Sequence, residues 1–165
     1  MHSVYPCLWF DGNAEEAASF YTSIFNNSKI GAISRYGEDA ANAAGRPVGS
    51  AMVVIFQING QDFMGLNGGP QFKFSEAVSF VANCESQEEV GQLWEKLSAG
   101  GKKDRCGWLK DKFGLSWQIV PTTLARLMSD PNPQKRSRVM QALLQMDKLD
   151  ISALERAYYA EPASD

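Results

Sequence analysis

The spacing of apolar positions changes several times along the chain, and each change marks an element. Residues 4–10 are rich in strand formers and stop at Asp11-Gly12-Asn13, a turn. Beyond it Ala17, Phe20, Tyr21 and Ile24 fall at i, i+3, i+4 and i+7, one apolar face of a helix that runs to about Phe25. Asn13 is its expected N-cap, and Glu15 and Glu16 sit in the first turn, where they favour the positive end of the helix dipole. Asn26-Asn27-Ser28 ends that helix; residues 29–36 follow as a strand, and residues 37–49, rich in Ala, Gly and Asn, as a mobile loop. Two strands, 50–58 and 61–66, flank Asn59-Gly60, a strong hairpin signal, and Asn67-Gly68-Gly69-Pro70 breaks the sheet.

The second half repeats this plan. Residues 76–84 predict a strand, and Ser86-Gln87-Glu88-Glu89 has the form of a capping box. Val90, Leu93, Trp94 and Leu97 carry the next helical stripe, which Gly100-Gly101 stops. At a fixed offset of 73, Asn13 meets Ser86, Glu15-Glu16 meets Glu88-Glu89, and Ala17, Phe20, Tyr21 and Ile24 meet Val90, Leu93, Trp94 and Leu97. Cap, acidic first turn and stripe repeat together, which a lone amphipathic helix would not do, so the pattern predicts an internal duplication. A short strand at 105–109, a turn at Asp111-Lys112-Phe113-Gly114 and a strand at 115–120 closed by Pro121 complete the second half. The expected division is therefore 1–70, 71–121 and a helical tail, 122–165, with two helical segments at about 134–146 and 152–159 and Pro131-Asn132-Pro133 as the helix break. The tail either packs on the domain or a second subunit, or covers a ligand.

Composition narrows the function. The chain has 165 residues, 44% of them hydrophobic, enough for one small domain or two similar halves. With 16 Lys and Arg against 19 Asp and Glu it lacks the basic excess that a phosphate backbone favours, so no nucleic-acid partner is expected. The apolar run 51–56 is far short of the roughly 20 residues that span a bilayer, so no membrane partner is expected either. No basic segment followed by an apolar core opens the chain, which makes the cytoplasm the expected compartment. A single histidine, His2, leaves zinc-peptidase motifs, two-histidine iron sites and Ser-His-Asp triads without their imidazoles. Three widely spaced cysteines, Cys7, Cys84 and Cys106, suggest neither a disulfide framework nor a thiolate zinc site.

The segments Leu8-Trp9-Phe10-Asp11-Gly12-Asn13-Ala14-Glu15-Glu16-Ala17 with Phe20-Tyr21, Cys106-Gly107-Trp108-Leu109-Lys110-Asp111, and Phe113-Gly114-Leu115-Ser116-Trp117-Gln118-Ile119-Val120-Pro121 resemble the PhnB-like branch of the vicinal oxygen chelate superfamily. That superfamily includes glyoxalases, bleomycin-resistance proteins and extradiol dioxygenases, and this branch often carries the label 3-demethylubiquinone-9 3-methyltransferase. The resemblance implies an α+β fold of two βαβββ modules whose curled mixed sheet surrounds a cavity, with C-terminal helices added, frequently as a homodimer. It also implies four metal-ligand positions, usually His and Glu. Here these match Pro6, Gly65, Ser79 and Gln118, a set without imidazole or carboxylate, so no metal and no other cofactor is expected.

A small-molecule ligand held without metal is the leading expectation. Gln118, Ser79, Trp9, Trp108 and Asn67 are the candidate ligand contacts: the amide orients a polar group and the indoles offer stacking surface, although each indole is equally at home in a core. Strand alternation puts Ser116 and Gln118 on one face and Trp117 on the other. The alternative is a metal-independent lyase, isomerase or transferase working through Gln118 or through Cys106, whose neighbours Lys103, Arg105 and Lys110 would favour a thiolate. Methyl transfer from S-adenosylmethionine fits poorly, because no glycine-rich turn between a strand and a helix reads G-x-G-x-x-G.

Overall fold

The computed structural model describes residues 4–160; His2 lies outside them. Two compact units divide the chain, Met1–Phe74 and Ser75–Asp165. The first contains strand β1 (Cys7–Phe10), helix α1 (Ala14–Ile24), β2 (Lys29–Arg35), helix α2 (Glu38–Ala44), β3 (Ala51–Ile58) and β4 (Gln61–Asn67). Its sheet has the order β1-β4-β3-β2, with β1 parallel to β4 and the other pairs antiparallel. Asn59 and Gly60 both take positive φ, 48° and 82°, which matches the twist of the β3–β4 hairpin. Alternation then buries Val54, Phe56 and Ile58 on β3 beside Phe63 on β4. Helix α1 lays Ala14, Ala17, Ala18 and Tyr21 on this surface, the Tyr21 ring stacking at 6.2 Å on Phe56 and Phe56 at 5.5 Å on Phe63. Burial of each such aromatic ring contributes about 2–3 kcal/mol.

Two local expectations fail here for physical reasons. Asn13 occupies the N-cap position but makes no side-chain cap; the Ala14 N–H donates instead to Asn67 Oδ1 at 2.9 Å, from the end of β4. The expected loop at 37–49 contains α2, whose Glu38 and Asp39 lie at the favourable end of the helix dipole and whose alanines are strong helix formers. Gly45 ends it in the left-handed region, φ 63°.

The second unit repeats the plan with β5 (Ser79–Cys84), α3 (Gln87–Ser98), β6 (Lys102–Lys103), β7 (Trp108–Lys110) and β8 (Ser116–Pro121). Its order, β5-β8-β7-β6 with β5 parallel to β8, is that of the first sheet. The capping box forms in a variant: the Glu89 N–H donates to Ser86 Oγ at 3.2 Å, while the Glu89 carboxylate accepts from the Glu85 N–H at 2.6 Å, one residue before the cap. β5 begins three residues later than expected. The strand expected at 105–109 is displaced to Trp108–Lys110, because Cys106 and Gly107 take positive φ, 58° and 82°, and turn the chain between β6 and β7.

Among the described residues the tail holds three helices: α4 (Thr122–Met128), α5 (Pro133–Leu143) and α6 (Ile151–Tyr159). α4, which starts directly on Pro121, is not foreseen by the strand-terminating role expected of that proline. Leu127, Val139 and Leu154, one from each helix, form a buried cluster bordered by Leu124, Met128, Leu143, Met146 and Tyr158. The tail is tied to the second module. Gln87 at the start of α3 donates to Leu149 O at 2.9 Å and accepts from the Ile151 N–H at 2.8 Å, and the Cys106 and Gly107 N–H groups donate to Met146 O and Asp147 O at 2.8 and 2.7 Å.

Within the tail, Tyr158 Oη donates to Asp130 Oδ2 at 2.5 Å, with Lys135 Nζ over the Tyr158 ring. This hydrogen bond raises the Tyr158 phenol above its usual range and lowers the Asp130 carboxyl below its own. The raised phenol contributes stability that is lost as pH rises through its pKa, and the lowered carboxyl contributes stability that is lost as pH falls through its pKa. Wild type should therefore exceed Tyr158→Phe in urea midpoint between about pH 5 and 9, with the gap closing at both extremes. A gap independent of pH would show that the bond contributes nothing.

Candidate functional site

Each sheet has one face covered by its helix and one face turned away from it. In β8, Trp117 and Ile119 are buried on the helix side, and Ser116, Gln118 and Val120 alternate to the opposite side. Trp117 is fixed there by its indole N–H, which donates to Asp111 Oδ2 at 2.9 Å. On the opposite face three candidate residues come together. Gln118 lies between Val81 of β5 and Trp108 of β7 in the strand register, and its Nε2 donates to Ser79 Oγ at 2.9 Å. One row along the sheet, Ser79, Ser116 and Lys110 stand side by side. Lys110 Nζ pairs with Glu76 at 2.5 Å, and this ion pair lowers the Glu76 carboxyl. Ser116 Oγ is buried with no hydrogen-bond partner among the described residues. Lys110 and Glu76 were not foreseen as site residues; stepping two residues from Trp108, opposite Gln118, is the signal that finds Lys110.

The other candidates lie elsewhere. Trp9 and Asn67 belong to the first unit. The Trp9 indole donates to Gly69 O at 2.8 Å, packs flat against Gly68, where a Cβ would fall 2.1 Å from the ring, and meets Phe72 edge-on at 4.8 Å. Asn67 is buried; besides accepting from Ala14 it donates from Nδ2 to Ala51 O at 3.0 Å, and its backbone carbonyl accepts from Tyr36 Oη at 2.6 Å. Its amide holds the start of α1 and the start of β3 together. Cys106 Sγ contacts Leu143 O at 3.6 Å, toward the tail, while Lys103 and Lys110 pair with Glu95 and Glu76 rather than with the thiol. Burial pushes the Cys7 thiol up, and burial reinforced by Glu89 and Glu85 pushes Cys84 to about 11, so neither supplies a thiolate at neutral pH.

The family's metal-ligand positions need a correction in the first module. The helices begin 73 residues apart, at Ala14 and Gln87. The buried strand positions are 74 apart: Leu8 and Phe10 correspond to Ala82 and Cys84. Asp11-Gly12-Asn13 joins β1 to α1 where Glu85-Ser86 joins β5 to α3, and that one extra residue inverts the faces of β1 and β4 relative to a constant offset. A Cβ on Gly65 would meet Ala14 of α1 at 3.1 Å, so Gly65 faces the helix. Met64, not Gly65, is then the counterpart of Gln118, and Tyr5, not Pro6, that of Ser79. The first unit thus offers the Tyr5 phenol, two residues before β1, and the Met64 thioether, and the second unit a hydroxyl and an amide. Neither unit brings an anionic or imidazole ligand to these positions, and neither a phenol with a thioether nor a hydroxyl with an amide suits a common divalent ion. Among the described residues no three His, Cys, Asp or Glu gather as a possible metal site, and no helix is long and apolar enough to cross a membrane.

A strand, a helix and three strands, given twice with the same strand order and the same parallel pairing of first and last strands, and with α2 inserted between β2 and β3 of the first copy, define a protein of the vicinal oxygen chelate fold. The family model described as 3-demethylubiquinone-9 3-methyltransferase matches residues 2–120, both modules without the tail, and the chain belongs to that family. It is 34% identical to the PhnB protein of Bacillus cereus, over 73% of this chain and 100% of that one, with a TM-score of 0.66. A Pseudomonas aeruginosa protein is 20% identical over 73% of this chain and 98% of its own, TM-score 0.58. The fosfomycin resistance protein FosX of Listeria monocytogenes, 16% identical over 78% of this chain and 98% of its own, shares the fold with a TM-score of 0.53. No curated protein matches the chain.

Proposed function

We propose that the chain is a metal-independent small-molecule-binding protein of the vicinal oxygen chelate fold, acting in the cytoplasm as a homodimer. Its ligand rests on the helix-free face of the second sheet. The observation that carries this reading is the Gln118–Ser79 pair beside the unpartnered Ser116 hydroxyl, on a face where Trp108 adds a half-buried aromatic wall. Gln118 spends one amide hydrogen on Ser79 and keeps its carbonyl oxygen, so a polar ligand group has an oriented acceptor beside the Ser79 hydroxyl, which still has its own hydrogen to donate. The ligand positions Tyr5, Met64, Ser79 and Gln118 support independence from metal, because none brings a charge that competes with water for a divalent ion. FosX has been crystallised with Mn(II) and sulfate, and the absence here of imidazole and carboxylate at the four positions separates this chain from such chemistry. Three free thiols agree with a reducing compartment.

The family's methyltransferase description finds little support in the glycines. Gly68 makes room for the Trp9 ring and Gly101 for the backbone of Lys110 and Asp111, so both serve packing and not a nucleotide cradle. A thermal-shift screen of aromatic and amphipathic compounds, with S-adenosylmethionine included, tests the proposal. A stabilising compound should bind about tenfold more weakly to Gln118→Ala, the loss of roughly one oriented hydrogen bond. The proposal fails if no compound stabilises the protein, if the affinity survives both Gln118→Ala and Ser79→Ala, or if S-adenosylmethionine alone binds tightly.

A further inference from the structure

A cleft of about 310 Å³ opens in the first unit, lined by Gly12, Glu15, Arg35, Arg46, Ser50 and Asn67 among others. The local fold fixes its principal cation. Gly45 turns the chain at the end of α2, the Arg46 N–H donates to Ala41 O at 2.9 Å, and Tyr36 closes the base of the excursion through backbone bonds with Ser50 at 2.9 Å and Gly49 at 2.8 Å. The Arg46 guanidinium stands over Gly12, where a Cβ would lie 3.5 Å from Nη1 and where φ is 91°. Only 19% of the Arg46 side chain is exposed, and its ion pair is made by Nη2 alone, to Asp11 Oδ1 at 2.5 Å. Arg35 reaches Glu15 Oε1 and Gly49 O, both at 3.3 Å.

The charges select the ligand. Arg35 and Arg46 line the cleft together with Glu15, and Asp11 pairs with Arg46 beside it, so two guanidinium groups face two carboxylates. The two carboxylates that engage the guanidinium groups, Asp11 and Glu15, are 46% and 45% exposed and stay hydrated when released, whereas Arg46 is four-fifths covered. A guanidinium presents five donors in a planar fork, and a covered one with a single carboxylate oxygen gains from a bidentate acceptor. We infer that this cleft binds a small oxyanion, the carboxylate or phosphate group of a compact ligand, in the forks of Arg46 and Arg35. The cleft is built within the first unit and the Gln118 face within the second, and the success or failure of this inference leaves that proposal untouched.

The test is an amide NMR titration of the full chain with sodium phosphate and, separately, sodium acetate, at low ionic strength. Saturable shifts at Gly12, Arg46 and Ser50 are expected, with a Kd of roughly millimolar order for the better anion. Arg46→Gln should weaken binding at least about tenfold, and Glu15→Gln, which removes the competing carboxylate, should tighten it about threefold. A response to phosphate alone assigns a phosphate-bearing ligand, one to acetate alone a carboxylate, and one to both their shared chemistry. Absent or unsaturable shifts with both anions overturn the inference, as does wild-type affinity in Arg46→Gln. If Arg46→Gln does not fold, Glu15→Gln decides: unchanged or weaker binding overturns it.

Discussion

Replacing Asp111 with alanine is expected to cost about 4 kcal/mol of stability, through three donors left without an acceptor in a dry corner. The residue is 2% exposed at the β7–β8 turn. Its Oδ1 accepts from the N–H groups of Phe113 at 2.9 Å and Leu115 at 3.0 Å, and Oδ2 accepts from the Trp117 indole at 2.9 Å. One carboxylate thus fixes the turn and the large core indole behind Gln118. Asp111→Asn should fall between, at about 2 kcal/mol, because its oxygen can replace Oδ1 while its NH2 opposes the indole N–H. Urea unfolding followed by tryptophan fluorescence measures both, and a loss under about 1 kcal/mol for the alanine variant would show that the carboxylate does not organise this corner.

Gly101→Ala should be comparably severe, at about 3 kcal/mol or more. A Cβ there would fall 2.1 Å from Lys110 O and under 3 Å from Asp111 Cα, atoms of backbone that cannot rotate away. Gly100→Ala is the internal control. Gly100 has φ 74°, yet its added Cβ would meet only the Lys112 side chain, at 3.3 Å, so the cost should be about 1 kcal/mol, that of an alanine in the left-handed region. Equal midpoints for the two variants in thermal or urea unfolding would refute the close approach of residue 101 to β7.

Local chemistry was legible in the sequence wherever its partners were local. The Ser86–Glu89 cap, the Asn59-Gly60 turn and the apolar stripes of α1 and α3 are settled by residues within one or two turns of each other, and the fold class followed from them together with the family motifs. Asn13 misled because the helix start is anchored from outside its own turn, by Asn67, which accepts from the Ala14 N–H 53 residues away. Helix α2 misled because alanine and glycine suggest looseness unless Glu38, Asp39 and the capping Gly45 are weighed together. At the candidate site, alternation foresaw that Gln118 and Trp117 diverge and that Ser116 joins Gln118. Nothing local shows that the thiol of Cys106 turns toward Leu143, since that contact depends on where the tail docks. The cleft with Arg35 and Arg46 left no sequence signal, because two cations 11 positions apart meet only through the backbone closure of Tyr36 on Ser50.

The extra residue in the β1–α1 turn also governs what can be exchanged between the two halves. Each module has kept its own apolar surface under its helix, so what the duplication preserved is the inward side and not the count from a landmark. A chimera that grafts β5 onto the first module by helix-based numbering would carry Val81 and Asn83 inward in place of Leu8 and Phe10 and leave Ala82 where Trp9 now stands. The same graft moved by one position would keep an apolar residue inward at both places. Recombination between the halves is therefore permitted in one frame and forbidden in the other, and the Asp11-Gly12-Asn13 turn is where that frame is set.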